Sequence, residues 1–296
     1  MRTLRLAILF SFASQASWAA ETASFLNIGV GARALGMGGA YTALADDANA
    51  LYWNPAGLSK LEKREFTASH AEMFESTRLD FLAYAHPVGD GAFAAGLTYL
   101  SQGKIDGRDS LGRQTAGYDA SDAAVNLGYA RKLEAVDLGA TIKYLRSHIG
   151  STEAQGAAVD IGVKRAFDRI SVGAALRNLG PGLKFGDQRN DLPLRLAAGA
   201  AYKFKGGHAA VAEVVNGPRG AGTGGSFGGE FQAVKNVSLR AGYTTQTAIT
   251  GGSGFDAARG LAMGLGVRNE KWSLDYAVLP SGELGRSHRF TFGARW

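Results

Sequence analysis

The chain has 296 residues, 46% hydrophobic, with 42 glycines, 6 prolines and no cysteine, which excludes a disulfide framework, a thiolate metal centre, a collagen-like repeat and a disordered polar chain. The formal charge is +6, of which Arg2 and Arg5 supply two, leaving +4 on the remainder. That excess is spread among apolar residues instead of forming a patch, so nucleic acid is not an expected partner.

Met1 to Arg5 is a basic n-region, Leu6 to Ala16 an apolar h-region, and Ser17 and Ala19, on either side of Trp18, are small residues at the two positions a signal peptidase reads. Residues 1–19 are therefore expected to be a cleaved secretory signal peptide. Nothing later approaches the roughly 18 consecutive apolar residues that a membrane helix requires, so any spanning structure must be built from strands.

Residues 20–62 show no strand alternation and read as a separate, apolar and glycine-rich segment. Ala40 to Tyr52 is compatible with a helix, and Trp53, Asn54, Pro55, Ala56, Gly57 and Leu58 stop it. Pro55 drives Asn54 into an extended conformation and Gly57 permits a left-handed turn, so a sharp bend is expected there. So apolar a stretch would not stay loose in water, and the lumen of a barrel would shelter it. It is therefore expected to fold into the lumen.

Residues 63–296 are dominated by period-2 runs, the signature of barrel strands. Fourteen runs are predicted: 64–74, 78–87, 92–101, 121–132, 136–147, 155–167, 169–178, 193–204, 207–216, 225–234, 236–246, 259–268, 271–278 and 287–296. In one of them Leu138, Ala140, Ile142 and Tyr144 oppose Asp137, Gly139, Thr141 and Lys143. In a barrel of this size the apolar face meets lipid and the polar face lines the lumen. Short connections at 88–91, 133–135, 168, 205–206, 235 and 269–270 alternate with longer ones at 102–120, 148–154, 179–192, 217–224, 247–258 and 279–286, with 75–77 as the exception. Outer-membrane barrels alternate short periplasmic turns with longer outside loops in this way, whereas Greek-key sandwiches have no reason to. Tyr84, Tyr99, Tyr129, Tyr144, Tyr202, Tyr243, Trp272, Tyr276 and Trp296 fall near strand ends, where aromatic girdles lie. The expected fold is all-β: a 14-stranded antiparallel transmembrane β-barrel with a short N-terminal helical plug in its lumen.

Gly128, Gly139, Gly162, Gly173, Gly199, Gly242, Gly264 and Gly293 all fall on the inward face. Glycine weakens a strand, so it marks either bending or the close approach of something inside. Inward Asp122, Lys132, Asp137, Lys143, Asp160, Lys164, Arg177, Arg195, Lys203, Arg240, Arg268 and Asp275 read as a structural ion-pair mesh rather than a catalytic set. The last strand alternates Phe290, Phe292, Ala294 and Trp296 against Arg289, Thr291, Gly293 and Arg295. An exposed edge of that kind invites aggregation unless another strand pairs with it, so it is expected to close the barrel with Trp296 at the periplasmic rim.

Other chemistry finds little support. Gly29 to Ala34 matches Gly-x-Gly-x-x-Ala, but no buried strand precedes it and no βαβ unit contains it. His70, His86, His148, His208 and His288 lack metal-ligand spacing and read as loop or lumen residues. Asp46 and Asp47 read as a solvated helix face. No enzyme activity, cofactor or metal is expected.

The stretch from Gly38 through Tyr41, Asp46, Asp47 and Tyr52 to Leu58 resembles the N-terminal hatch of the FadL superfamily of outer-membrane transporters, with its Asn-Pro-Ala motif at Asn54, Pro55 and Ala56. Phe25 to Met37 is closer to the PorV/PorQ branch of that superfamily. The resemblance implies a plugged barrel in the Gram-negative outer membrane, controlled by the hatch around residues 53–58. It implies passage or binding of a hydrophobic small molecule or, alternatively, a role in type IX secretion or surface attachment with an exported protein as partner. Outer-membrane lipid, and the barrel-assembly machinery acting on the strand that ends at Trp296, complete the expected partners.

Overall fold

A computed structural model describes residues 21–73, 76–246, 260–280 and 285–296; the segment expected to be a signal peptide and most of the connections expected at 247–258 and 279–286 lie outside them. Sixteen strands are present among these residues: β1 (Glu65–Glu72), β2 (Arg78–Val88), β3 (Gly91–Ile105), β4 (Tyr118–Lys132), β5 (Asp137–Ile149), β6 (Thr152–Phe167), β7 (Ile170–Leu179), β8 (Leu183–Phe185), β9 (Gln188–Asn190), β10 (Arg195–Lys203), β11 (Ala209–Gly217), β12 (Gly222–Val234), β13 (Val237–Thr244), β14 (Leu261–Arg268), β15 (Trp272–Pro280) and β16 (Arg286–Arg295). Fourteen of them close into one antiparallel barrel, while β8 and β9 form a separate hairpin. The seam joins β1 to β16 from Glu65 opposite Arg295 to Glu72 opposite His288, with reciprocal backbone bonds between Arg64 and Trp296 at 3.1 Å. The terminal strand thus has no free edge.

The two faces divide as the alternation requires. Leu138, Ile142, Tyr144, Leu274, Phe290 and Phe292 are exposed on the outside, while Asp137, Thr141, Lys143, Asp275, Arg289 and Thr291 are buried within. Asp168 and Asn236 adopt positive φ in two-residue turns, as tight hairpins matching the strand twist demand. No helix of the described residues is long and apolar enough to cross a membrane, which leaves the question of spanning to the strands.

The connections depart from expectation in two places. β5 continues to Ile149 and β6 starts at Thr152, and β11 and β12 are separated only by residues 218–221, so the loops expected at 148–154 and 217–224 are tight turns at Gly150 and Gly220. Polar residues such as Ser147, His148 and Glu153 hide these strand ends from an apolar-alternation reading. The connection at 180–194 carries the β8–β9 hairpin, with Leu183 and Leu192 fully buried. Arg219 ties this connection down by donating to the Leu192 carbonyl at 3.2 Å.

Residues 21–61 form two one-turn helices, α1 (Ala32–Gly36) and α2 (Ala50–Trp53), two 3-10 turns, Ser24–Asn27 and Pro55–Lys60, and linking bends. The stretch from Ala40 to Tyr52, compatible with a helix by sequence, is helical only from Ala50. The carbonyls of Thr42, Ala43, Leu44 and Ala45, which a helix would use internally, instead accept hydrogen bonds from Asn54, Ser171 and Lys164. This segment touches inward positions nearly all the way around the ring: Glu65 of β1, Thr291 of β16, Gly264 of β14, Gly242 of β13, Glu213 of β11, Ser171 of β7, Gly162 of β6, Gly139 of β5 and Gly128 of β4. Contacts on every side place it within the barrel.

Candidate site at the inner segment

The bend at residues 53–58 is built from its backbone outward. Asn54 is fully buried at φ −160° and ψ 103°, the extended conformation that Pro55 imposes on its predecessor. Its side chain works in three directions: Nδ2 donates to Thr42 O at 2.8 Å and Val163 O at 3.2 Å, while Oδ1 accepts from Ala56 N at 3.1 Å. Asn54 thereby caps the 3-10 turn and fastens it to β6. Trp53 Nε1 donates to Val30 O at 2.9 Å, and the Arg177 guanidinium lies 5.4 Å from the Trp53 ring centroid. Gly57 is not left-handed, contrary to the expectation, and its side is occupied by the Ala45 carbonyl, which a Cβ would strike. Close approach is the reason for glycine at this position. Leu58 is buried against Gly128, and Lys60 pairs with Asp137 at 2.7 Å.

The inward glycines receive this segment. Gly139 and Gly162 are direct cross-strand partners, and Pro55 and Ala56 lie against both. Gly173 extends the notch, with Asn54 Nδ2 3.1 Å from where its Cβ would be. A second notch sits across the barrel, where the cross-strand pair Gly228 and Gly242 receives Met37 and Gly38, and Gly264 receives Gly36. Gly128 faces Leu51 and Leu58. Close approach thus accounts for six of the eight inward glycines, whereas Gly199 and Gly293 meet only neighbouring wall atoms. Gly228 was missed because its strand, rich in glycine on both faces, has no clean alternation.

Charges reinforce the seat. Arg33 forms a forked pair with Glu230, at 3.0 and 3.1 Å, and Glu230 also accepts from Arg240, which reaches Asp275 at 2.7 Å. Arg33 further reaches Asp46 at 2.6 Å and Tyr41 Oη at 2.9 Å. Asp46 meets Lys203 at 2.7 Å, and Asp47 accepts from Tyr41 Oη and Asn49 N, so these two carboxylates are not the solvated helix face expected of them. Burial alone would raise the Asp46 carboxyl, but the charges of Arg33, Lys203 and Lys164 outweigh it and hold it well below the usual carboxylate range. Burial pushes the Tyr52 hydroxyl up to about 12. Of the inward charges expected to form a mesh, Lys143 pairs with Asp160 at 2.7 Å and Arg240 with Asp275, whereas Lys164 and Lys203 turn to the inner segment. Lys132 is exposed and joins neither set. Arg33, Glu213 and Glu230 carry much of the grip and were not singled out, because a lone charge in an alternating run does not reveal its partner across the lumen.

The wall is irregular beside the bend. Val159 pairs with Leu179 and Ile161 with Leu176, so Arg177 and Asn178 together oppose Asp160 in a bulge, with Asn178 at φ 64°. Asn178 N donates to Asp160 at 2.7 Å, and Lys143 donates to the Asn178 side chain at 2.7 Å, so the irregularity is braced rather than open. On the wall at β10–β13, a groove of about 600 Å³ is lined by Ala198, Ala200, Ala212, Val214, Phe227 and Tyr243. Among the described residues no cluster of three or more acidic, histidine or cysteine side chains could hold a metal. The five histidines are dispersed, with His70 against Asp80 and His288 against Tyr276.

The family described as type IX secretion system protein PorV matches residues 13–210, which include the whole inner segment and the wall as far as the start of β11. The Pseudomonas putida toluene transporter TodX superposes with a TM-score of 0.66 at 14% identity, over 90% of this chain and 96% of that one. The Ralstonia pickettii toluene transporter TbuX gives 0.67 at 14%, over 90% and 98%. At such identities the likeness is one of fold. No curated protein matches the chain in sequence. The match across two thirds of the chain makes this protein a member of the PorV family, on a closed fourteen-stranded barrel whose fold these structures share.

Proposed function

We propose that this protein is a closed, membrane-spanning barrel serving protein export or surface attachment, with residues 21–61 as a fixed plug and the rim as the surface that holds exported proteins. The observation carrying this reading is the seating of the inner segment: its backbone lies against Gly139, Gly162, Gly228 and Gly242, and its charges are paired to the wall. A plug fitted this closely suits a scaffold better than a conduit. The PorV family's place in type IX secretion supports the same reading. In this setting the apolar outer face meets lipid, the short turns and Trp296 face the periplasm, and the assembly machinery recognises the final strand. The opposite rim is raised on one side, where β3 to β6 run to 15, 15, 13 and 16 residues against 8 each for β13 and β14.

Photocrosslinkers placed in the connections 106–117 and 180–194 test the proposal in the native host. Capture of exported proteins, with their periplasmic accumulation on gene deletion, is the expected result. Unchanged export on deletion would overturn it. A second reading, admission of hydrophobic small molecules, draws on the apolar groove between Ala198 and Phe227. It predicts a deletion strain that exports normally and takes up toluene-like compounds poorly.

A further inference from the structure

Three polar side chains from successive strands meet in one buried cluster on the inner wall: Lys143 of β5, Asp160 of β6 and Asn178 of β7, none more than 3% exposed. Lys143 Nζ donates to Asn178 Oδ1 at 2.7 Å and lies 2.7 Å from Asp160 Oδ2. Asn178 N donates to Asp160 Oδ1 at 2.7 Å, which leaves Oδ2 beside the lysine and engaged in no hydrogen bond. The amide is held from its other end as well, Nδ2 donating to Pro193 O at 3.0 Å, and the Tyr52 ring covers the lysine with its centroid 5.9 Å from Nζ. Among the described residues no other lysine reaches a side-chain amide: Lys60 and Lys203 pair with carboxylates, and Lys164 with main-chain carbonyls.

The backbone bends to make this meeting. The bulge that sets Arg177 and Asn178 together against Asp160 places Asn178 at φ 64°, a conformation that glycine adopts more readily, so the amide has a use beyond the bend. The parts are those of an acyl transfer. An amine contacts the oxygen bonded to the carboxamide carbon that it would attack, and a carboxylate stands beside the amine to carry its proton. Burial keeps water from competing, and a proton passing from Nζ to Oδ2 removes both charges of a costly buried pair at once.

We propose that Lys143 and Asn178 join in an intramolecular isopeptide bond, with Asp160 as the proton carrier. Asp160 takes one proton from the Lys143 ammonium, and the freed Nζ lone pair attacks Cγ of Asn178. Asp160 then passes that proton to Nδ2 and receives the second proton that Nζ sheds as the tetrahedral carbon collapses. The Cγ–Nδ2 bond breaks as the Nζ–Cγ amide forms, and ammonia leaves with the second proton as ammonium, restoring the Asp160 carboxylate. No oxidant, reductant or cofactor enters. The bond staples β5 to β7 across β6, whichever function the barrel serves.

Mass spectrometry of the wild-type chain, first unfolded as synthesised in urea and then folded into lipid vesicles, tests the proposal. The unfolded chain should have its full mass, and the folded barrel should become lighter by one ammonia. Its digest should contain a branched peptide joining the segments around Lys143 and Asn178. Lys143→Arg should keep its full mass, and Asp160→Asn should fold yet stay unlinked. A folded wild type that retains the ammonia, or yields only linear peptides, would overturn the proposal, and undiminished linkage in folded Asp160→Asn would overturn the role of the carboxylate. Should either variant not fold, the wild-type mass and digest still decide.

Discussion

Gly139 and Gly162 stand opposite each other on β5 and β6, and the backbone of Pro55 and Ala56 lies against both. A Cβ at either position would enter backbone or the Asn54 amide, neither of which can yield without shifting the inner segment. Gly139→Ala and Gly162→Ala should each cost about 1–3 kcal/mol, the range for overpacking a filled interior. Gly225→Ala is the control, since the nearest atom to its added Cβ is 3.9 Å away. Urea unfolding from lipid vesicles should separate the two notch variants from the control.

Asn54 is the single side chain that joins the bend to Thr42, Val163 and Ala56. Asn54→Ala removes a cap and leaves buried carbonyls without donors, a loss of about 1–3 kcal/mol. Asn54→Asp should be worse, because a carboxylate facing two carbonyls cannot donate to either. Hydrogen exchange of residues 41–58 should quicken in both variants while exchange in β5 and β6 stays slow.

The wall was far more legible in the sequence than the seat. Ile142 exposed outside and Lys143 buried inside is a contrast that the wall repeats at every second residue, so the alternation revealed fourteen strands and their closing partner. The extended Asn54 was equally readable, because Pro55 restricts its predecessor locally. The fold of Ala40 to Tyr52 was not, since its carbonyls are claimed by Lys164 and Ser171, more than a hundred residues away. Gly57 illustrates the same limit: glycine is needed there for the room it leaves to Ala45, which no local pattern encodes.

Asp46 gives the seat a pH dependence of defined sign. Its carboxyl is held below the ordinary range, so the stability it contributes is fully present above about pH 3.9 and is lost as the pH falls from there toward the depressed folded value. The part of the inner segment's protease resistance that Asp46 supplies should fall only below about pH 4. Asp46→Asn should weaken resistance at neutral pH and remove this part of the acid dependence.

Glu230 lies between two arginines, Arg33 from the inner segment and Arg240 from the wall. Glu230→Gln leaves Arg33 with Asp46 and Arg240 with Asp275 and removes the charge between them, which should cost about 1–3 kcal/mol. In a double-mutant cycle of Arg33→Met and Glu230→Met, the double variant should lose less than the sum of the two single changes, because each single change leaves the other partner of the pair behind.

Ile142, 63% exposed at the middle of β5, reports on what surrounds the barrel. Ile142→Arg should cost about 2–4 kcal/mol for folding into a bilayer, the penalty for a cation at mid-depth, whereas an aqueous surface would tolerate it. Folding yield into vesicles, read by heat-modifiable electrophoretic mobility, distinguishes the two.

The most direct test of the plugged barrel is ionic conductance across a planar bilayer. The wild-type barrel should insert without opening a steady pore, and the double variant Pro55→Ala with Gly57→Val should stay folded yet conduct and admit larger solutes, because its bend no longer fits beneath Ala45. A wild-type barrel that conducts as an open channel, or a folded double variant that stays silent, would contradict the claim that the inner segment seated at residues 53–58 shuts the lumen.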